Sequence, residues 1–101
     1  SLRSRIGNTP LVDDWLKHGN DLYIKQENSN LYGSYYDRIY LYLFKYWESL
    51  GRIRPGDSVV SLGYENAGPS FVGVGQELGY SCAVIFSKGV SEQQVDKVRR
   101  L

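Results

Sequence analysis

The stretch SVVSLGYENAGPSFVGVGQELGYSCAVIF, residues 58–86, decides the fold of this chain. Its two ends, residues 58–62 and 81–86, are short apolar runs with the length and β-branched content of buried strands. Between them, a glycine-rich loop over residues 63–68 leads into a helix predicted over about residues 69–78. A strand, a helix and a strand joined by short loops predict a parallel βαβ unit with a right-handed crossover.

A long aromatic helix precedes this unit. Ser34 followed by Asp37 resembles a capping box, and Gly51 is a natural stop, so we predict a helix over residues 35–50. Four residues at helical spacing are expected to face the core: Ile39, Leu43, Trp47 and Leu50. Asp37 and Arg38 are interpreted as a helix-start acid and a structural ion-pair partner rather than as catalysts.

The remaining segments complete a small α/β domain. A short helical turn is predicted over residues 13–18, a strand over 21–25 and a loop over 28–33. Ser91 with Gln94 forms a capping box, so a last helix is expected to start near Glu92. The fold class is therefore α/β, an open and mainly parallel sheet of about four strands with helices on both faces. We expect one domain over residues 1–101, with an opening segment and first strand over 1–25 and a βαβα core over 26–101.

Composition excludes several classes of partner. The chain has 101 residues, and 12 Lys and Arg against 11 Asp and Glu leave a net charge of +1. That charge gives no electrostatic basis for binding nucleic acid. No apolar run approaches the ~18 residues of a membrane span. Because the single cysteine, Cys82, cannot form a disulfide within the chain, we expect the protein to be located in a reducing cytoplasm. Cys82 itself is interpreted as an inert buried thiol. His18 has no second histidine or cysteine cluster near it, so no metal site is expected.

The glycine-rich loop is the candidate binding segment. It comprises Gly63, Tyr64, Glu65, Asn66, Ala67 and Gly68. A loop that follows a strand and opens a helix offers free backbone N–H groups to an anion. As a nucleotide phosphate loop it is incomplete, because Pro69 stands where the lysine belongs. A small module that binds an amine-bearing ligand here remains an alternative, since Glu65 disfavours carboxylates and phosphates.

Three further glycines do not form a dinucleotide fingerprint. Gly73, Gly75 and Gly79 lie within or beyond the predicted helix, with the wrong spacing and no strand directly before them. Close packing of the helix accounts for them better.

Several motifs, taken in order, carry a family resemblance. The opening IGNTPLV, residues 6–12, is followed by KQE at residues 25–27, by Asn30, and by GSYYDR at residues 33–38. GRIRPGD, residues 51–57, and the glycine-rich loop continue the series. Together these segments resemble the fold-type II pyridoxal-phosphate enzymes, the cysteine synthase and tryptophan synthase β group. The resemblance covers roughly residues 5–101. This part of the chain is similar to the first third of that fold, mainly its small N-terminal domain.

The resemblance implies where the cofactor chemistry of the family would be. In the family, the lysine of the S-x-K-D-R segment forms the Schiff base, and here Tyr36 occupies that position. A phenol has no amine and cannot form an imine. Asn66 matches the asparagine that contacts the cofactor ring, with helix capping as its alternative role, and Glu65 replaces a loop glycine. Pyridoxal phosphate is thus implied by the family alone, and we expect none bound by this chain by itself.

The aromatic residues of the long helix encircle it, whereas a surface helix needs only one apolar face. We therefore expect Tyr35, Tyr42 and Tyr46 to face a second domain, a twin subunit or another protein. The first hypothesis is a catalytically defective cysteine-synthase-like domain that acts as an interaction or regulatory part. The alternative is a piece of a longer enzyme for β-replacement or β-elimination on amino acids, with its cofactor site completed elsewhere.

Overall fold

The architecture is α/β in a computed structural model that describes residues 2–13, 23–63 and 67–101. The helices among these residues are α1 (Leu2–Arg5), α2 (Tyr36–Ser49), α3 (Ala67–Glu77) and α4 (Glu92–Arg99). The strands are β1 (Leu11–Asp13), β2 (Tyr23–Lys25), β3 (Ser58–Leu62) and β4 (Ser81–Ile85), and a 3-10 turn spans Glu27–Ser29. The α/β class is confirmed. The short α1 and β1 were not anticipated in the opening segment.

The four strands form two pairs among the described residues. β3 and β4 pair in parallel, from Ser58 opposite Ser81 to Leu62 opposite Ile85, which is the βαβ unit that residues 58–86 predict. β1 and β2 pair antiparallel, with Leu11 opposite Lys25. The described strands thus form two separate two-stranded sheets rather than the expected single sheet of about four strands. The β1–β2 pair is antiparallel because the segment between the two strands, residues 14–22, is too short for a parallel crossover. A parallel pair needs a crossover of a dozen or more residues, as α3 and its loops provide between β3 and β4.

Only one face of the β3–β4 sheet is covered by the described helices. Val59 and Val84 point to the side that packs on the core around α3, and both are half-buried. On the opposite side Val60, Leu62 and Ile85 are 58%, 54% and 58% exposed. We expected helices on both faces of the sheet, and the described helices cover only one face of the β3–β4 pair. Parallel sheets are normally buried on both faces, so this apolar face is an unusual surface.

The core lies between α2, α3 and β4. Phe44 and Val74 are fully buried, and the Phe44 ring packs on Phe71 and Tyr80 with ring centroids 5.7 Å and 5.0 Å apart. An added Cβ at Gly73 would lie 2.3 Å from the Tyr32 ring, and one at Gly75 would lie 2.3 Å from Cys82 Sγ. These two glycines therefore serve close packing, as predicted.

The buried face of α2 differs from the predicted one. Phe44 and Asp37 are fully buried, and Tyr40 and Leu41 pack against the core, whereas Ile39 is 40% exposed and Leu50 is 51% exposed. The prediction that Ile39 and Leu50 face the core was wrong. Because aromatic residues surround the helix, α2 has two apolar stripes that could face the core. The stripe that contains Phe44 is the one that packs against α3.

Of the other local predictions, some fall outside the described residues. The predicted turn over residues 13–18 is described only at Asp13, which belongs to β1, and the strand over 21–25 is described at Tyr23–Lys25. α3 begins at Ala67 rather than near residue 69. α4 begins at Glu92 as predicted, with the Ser91 side chain accepting a hydrogen bond from the Gln94 N–H.

Candidate functional site

A cavity lies at the carboxyl ends of β3 and β4, beside the first turn of α2. Ligands of open α/β sheets bind outside the carboxyl ends of parallel strands, so this edge is the expected place for a site. The volume of the cavity is about 620 Å³. Its described lining contains hydroxyl, amide and small side chains but no charged one: Tyr36, Gly63, Ser87, Gly89, Val90, Ser91 and Gln94.

Tyr36 brings a phenol to this cavity. It is the first residue of α2, and its backbone N–H donates to Ser34 Oγ at 3.0 Å. Its ring stacks on the ring of Tyr35, with centroids 4.5 Å apart. The residue that the sequence singles out as the decisive replacement therefore lies in the candidate site. The lining residues after β4 were not predicted as site residues, because their local motif, the capping box of Ser91 and Gln94, indicates a helix start and not a binding site.

The first turn of α2 is fixed to its surroundings by buried polar contacts. Asp37 is fully buried, and its Oδ2 accepts the backbone N–H of Tyr32 at 2.6 Å, while its Oδ1 has no hydrogen-bond partner in the described structure. The Tyr32 hydroxyl donates to the Gly73 carbonyl at 3.1 Å, which ties this turn to α3. Ser34 Oγ lies 3.4 Å from Ser70 Oγ, and both serines are buried. These contacts connect the first turn of α2, which contains Tyr36, to the Tyr32 segment and to α3.

Glu27 is the centre of a second polar cluster. Its carboxylate accepts hydrogen bonds from Arg38 Nε at 2.7 Å, Arg38 Nη2 at 3.1 Å, Thr9 Oγ1 at 2.6 Å and Asn30 Nδ2 at 2.8 Å. The hydrogen bonds from Arg38 and then from Thr9 lower the pKa of Glu27 from 4.5 to about 2. The same contact with Glu27 raises the pKa of Arg38. Arg38 is therefore the structural ion-pair partner that the sequence predicts, with Glu27 as its acid.

Asn30 connects this cluster to the chain start. It is buried, its Oδ1 accepts the Gly7 N–H at 2.7 Å, and its Nδ2 also donates to the Ser34 carbonyl at 3.0 Å. Gly7 has φ +88°, and a Cβ there would lie 3.1 Å from an Arg38 nitrogen. The motifs at residues 6–12, 25–27 and 33–38 are thus close together in space. Their hydrogen bonds stabilise the start of α2.

The glycine-rich loop is described at its two ends. Gly63 lies beside β4, where an added Cβ would meet the Phe86 ring at 2.6 Å. Ala67 and Gly68 are buried in the first turn of α3, and a Cβ at Gly68 would lie 3.1 Å from Val98 on α4. Tyr64, Glu65 and Asn66 lie outside the described residues. The predictions made for Glu65 and Asn66 therefore remain predictions.

The three interface candidates are all solvent-exposed. Tyr35 is 51%, Tyr42 is 65% and Tyr46 is 45% exposed. The Tyr42 and Tyr46 rings stack with centroids 5.8 Å apart and planes 9° apart. They lie on the side of α2 opposite to Phe44.

Other candidate chemistry is limited in the described parts of the chain. Burial raises the pKa of the Cys82 thiol, and the side chain lies against Gly75. No group of three His, Cys, Asp or Glu side chains is placed there to hold a metal ion. None of the described helices has the length and apolar character to cross a membrane. His18 lies outside the described residues.

Comparison with known proteins places this geometry in a family. Residues 2–101 match the family model described as pyridoxal-phosphate dependent enzyme. The chain is 33% identical to cysteine synthase 1 of Emericella nidulans, over 99% of this chain and 28% of that protein. It is 31% identical to cystathionine beta-synthase of Mus musculus, over 96% of this chain and 18% of that protein. The crystal structure of O-ureido-L-serine synthase matches with a TM-score of 0.91 and 27% identity, over 99% of this chain and 32% of that one. The chain thus spans about a fifth to a third of the length of these relatives.

Proposed function

Because the chain belongs to the pyridoxal-phosphate dependent enzyme family, we propose that it is a cysteine-synthase-like domain that acts without imine chemistry, as an interaction or regulatory part. The observation that carries this proposal is the phenol of Tyr36 in the candidate cavity. An imine to a carbonyl cofactor requires a primary amine, and a phenol cannot replace it. The likeness to cysteine synthase 1 and cystathionine beta-synthase supports the family and leaves the role of this chain as our inference.

The described lining of the cavity does not fit pyridoxal phosphate held as an imine. It includes neither a primary amine nor a cation that would face a phosphate. Lys25 Nζ donates to the Thr9 carbonyl, and Lys45 Nζ lies 3.4 Å from Glu48, so both amines are bound elsewhere. Lys88 is exposed and does not line the cavity, although Ser87 and Gly89 on either side of it do. The lining residues that the structure describes are uncharged and rich in hydroxyl groups, and they instead suit a polar ligand held by hydrogen bonds.

The test is borohydride reduction after incubation with pyridoxal phosphate, with the modified residue located by peptide mass spectrometry. For the native chain we expect only low, scattered modification of surface lysines and no imine absorbance band. Tyr36→Lys is the matched variant, and it should gain modification at position 36. One-to-one modification of a single lysine in the native chain would overturn the proposal. No turnover of amino acids is expected from Tyr36→Lys, since the described part of the lining offers the phosphate no cation.

A second candidate function is favoured by the uncovered sheet face. Val60, Leu62 and Ile85 leave an apolar surface on a parallel sheet, which normally has both faces covered. This observation supports the alternative that the domain works as part of a larger enzyme for β-replacement or β-elimination on amino acids. In that case the 101-residue chain should bind a hydrophobic dye, and a separately produced C-terminal portion of a cysteine synthase should abolish the dye signal. A chain that binds no dye would count against this candidate.

A further inference from the structure

A groove between α1 and α2 combines cationic and apolar side chains. Its volume is about 360 Å³, at the lower end of the range for small-molecule sites. The described lining consists of six residues: Arg3 on α1, Ile6 directly after it, and Arg38, Leu41, Tyr42 and Lys45 on α2. None of them lines the cavity at the carboxyl ends of β3 and β4, so the groove is separate from the candidate site described above.

The spacing of the lining residues along α2 determines the character of the groove. The four residues lie three, one and three positions apart, which places them on one face of the helix: Arg38, Leu41, Tyr42 and Lys45. Leu41 is half-buried against the core, and Tyr42 is 65% exposed. A cation stands on either side of this apolar pair, and the two cations are ~10 Å apart along the axis at 1.5 Å per residue. Because Ile6 is buried beside them, the groove has an apolar floor.

The three cations of the groove differ in how far acids within the chain neutralise them. Arg38 is paired with Glu27 at 2.7 Å, and Lys45 lies 3.4 Å from Glu48. Arg3 is exposed and forms no ion pair with any acid that the structure describes. The described lining contains no acidic side chain. The rim of the groove therefore keeps a positive charge, centred on Arg3.

We propose that this groove binds an aromatic carboxylate. A guanidinium forms two parallel hydrogen bonds with a carboxylate, which assigns the head group of the ligand to Arg3. Lys45 supplies a second cation, because its exposed pair with Glu48 contributes little and can be exchanged. The ring of the ligand then covers the apolar floor and stacks on Tyr42. This inference goes beyond the proposed function and does not depend on it, since the groove and the cavity share no described residue.

Two simpler ligands fit the groove less well. A small inorganic or aliphatic anion would use the cations but would leave the apolar floor in contact with water. An uncharged apolar molecule would cover the floor but would leave the guanidinium of Arg3 without an acceptor. A ligand that joins an aromatic ring to a carboxylate satisfies both parts of the groove, and this combination defines the probes for the test.

The first test is an NMR titration of the isotope-labelled 101-residue chain with phenylacetate, phenylacetamide and acetate. A ligand as small as phenylacetate is expected to bind with a Kd on the order of 1 mM. The backbone amides of Ile6, Leu41 and Tyr42 should shift most. Phenylacetamide and acetate should each bind at least ~5-fold more weakly, because one lacks the charge and the other lacks the ring. Equal binding of all three probes, or largest shifts at Val60 and Ile85 on the uncovered sheet face, would overturn the proposal.

The second test identifies the cation that holds the carboxylate. Arg3→Gln should weaken phenylacetate binding at least ~5-fold and leave the urea midpoint of unfolding unchanged, because Arg3 is exposed and pairs with no described acid. Arg52→Gln is the matched control, since it removes the same charge from an exposed arginine beyond the end of α2. Equal binding of phenylacetate by the two variants would contradict the assignment to Arg3 and overturn the proposal.

Discussion

At the scale of single residues, Glu27 illustrates how one carboxylate can stabilise three segments of the chain. Arg38 and Thr9 donate to it, and these bonds lower its pKa from 4.5 to about 2. A carboxyl whose pKa is lower in the folded state stabilises that state above its unfolded pKa. This stabilisation is lost as the pH falls from about 4.5 through about 2.

The corresponding prediction concerns Glu27→Gln. At pH 7 the variant should unfold at a lower urea concentration than the native chain, because an amide cannot accept as many bonds from Arg38 and presents a donor to other donors. The difference in urea midpoint should shrink between pH 4.5 and pH 2, as the native carboxyl is protonated. Urea titrations at pH 7, 4 and 2.5 measure this, with Glu92→Gln as an exposed control. A difference that is constant over this pH range would contradict the assignment.

The contact between Gly75 and Cys82 supports a second prediction at this scale. A Cβ on residue 75 would lie 2.3 Å from Cys82 Sγ and 3.0 Å from the Phe44 ring, so Gly75→Ala overpacks the core. We expect a loss of about 1–3 kcal/mol in unfolding free energy, partly offset by the better helix propensity of alanine.

Cys82→Ala removes the sulfur and should relieve that overpacking. In a double-mutant cycle by urea unfolding, the Gly75→Ala Cys82→Ala chain should therefore be more stable than the sum of the single effects by about 1 kcal/mol. Additive losses would show that the loss of stability in Gly75→Ala arises from the backbone and not from this side-chain contact.

At the scale of elements, Ser91 links a helix start to the candidate cavity. Its side chain accepts the Gln94 N–H at 3.3 Å, and it also lines the cavity. Ser91→Ala should lower the unfolding free energy by about 0.5–2 kcal/mol through loss of the cap. Ser58→Ala, an exposed serine on β3, is the control in thermal or urea unfolding. An equal loss in both variants would argue against a specific capping role.

The elements also show what the sequence can and cannot predict. The βαβ unit over residues 58–86 and the start of α4 were predictable, because apolar runs, glycine positions and a capping box are local signals. The exposed side of α2 was not fully predictable, since Ile39 and Phe44 are both apolar and only packing against α3 determines which of the two faces is buried. The cavity shows the same limit. Tyr36 was found through a motif, whereas Ser87 and Gln94 reach the cavity only through tertiary folding.

At the scale of the whole molecule, we expect the same type of substitution to change the stability of the chain differently on the two faces of the β3–β4 sheet. Val59 and Val84 pack on the core, whereas Val60 and Ile85 are exposed on the other side. Threonine is β-branched like valine and isoleucine, so it keeps strand propensity while replacing apolar surface with a hydroxyl. The double variants Val59→Thr Val84→Thr and Val60→Thr Ile85→Thr therefore test which face the fold of this chain uses.

We expect Val59→Thr Val84→Thr to lose about 1–3 kcal/mol per site, because a hydroxyl is placed against an apolar core. Val60→Thr Ile85→Thr should unfold within about 0.5 kcal/mol of the native chain and should bind less hydrophobic dye. Urea unfolding and dye fluorescence on the same samples separate the two effects. A large loss of stability in Val60→Thr Ile85→Thr would mean that the native chain already covers this face, for instance by self-association through it. Such a result would also weaken the second candidate function, which depends on the face being open to another part of an enzyme.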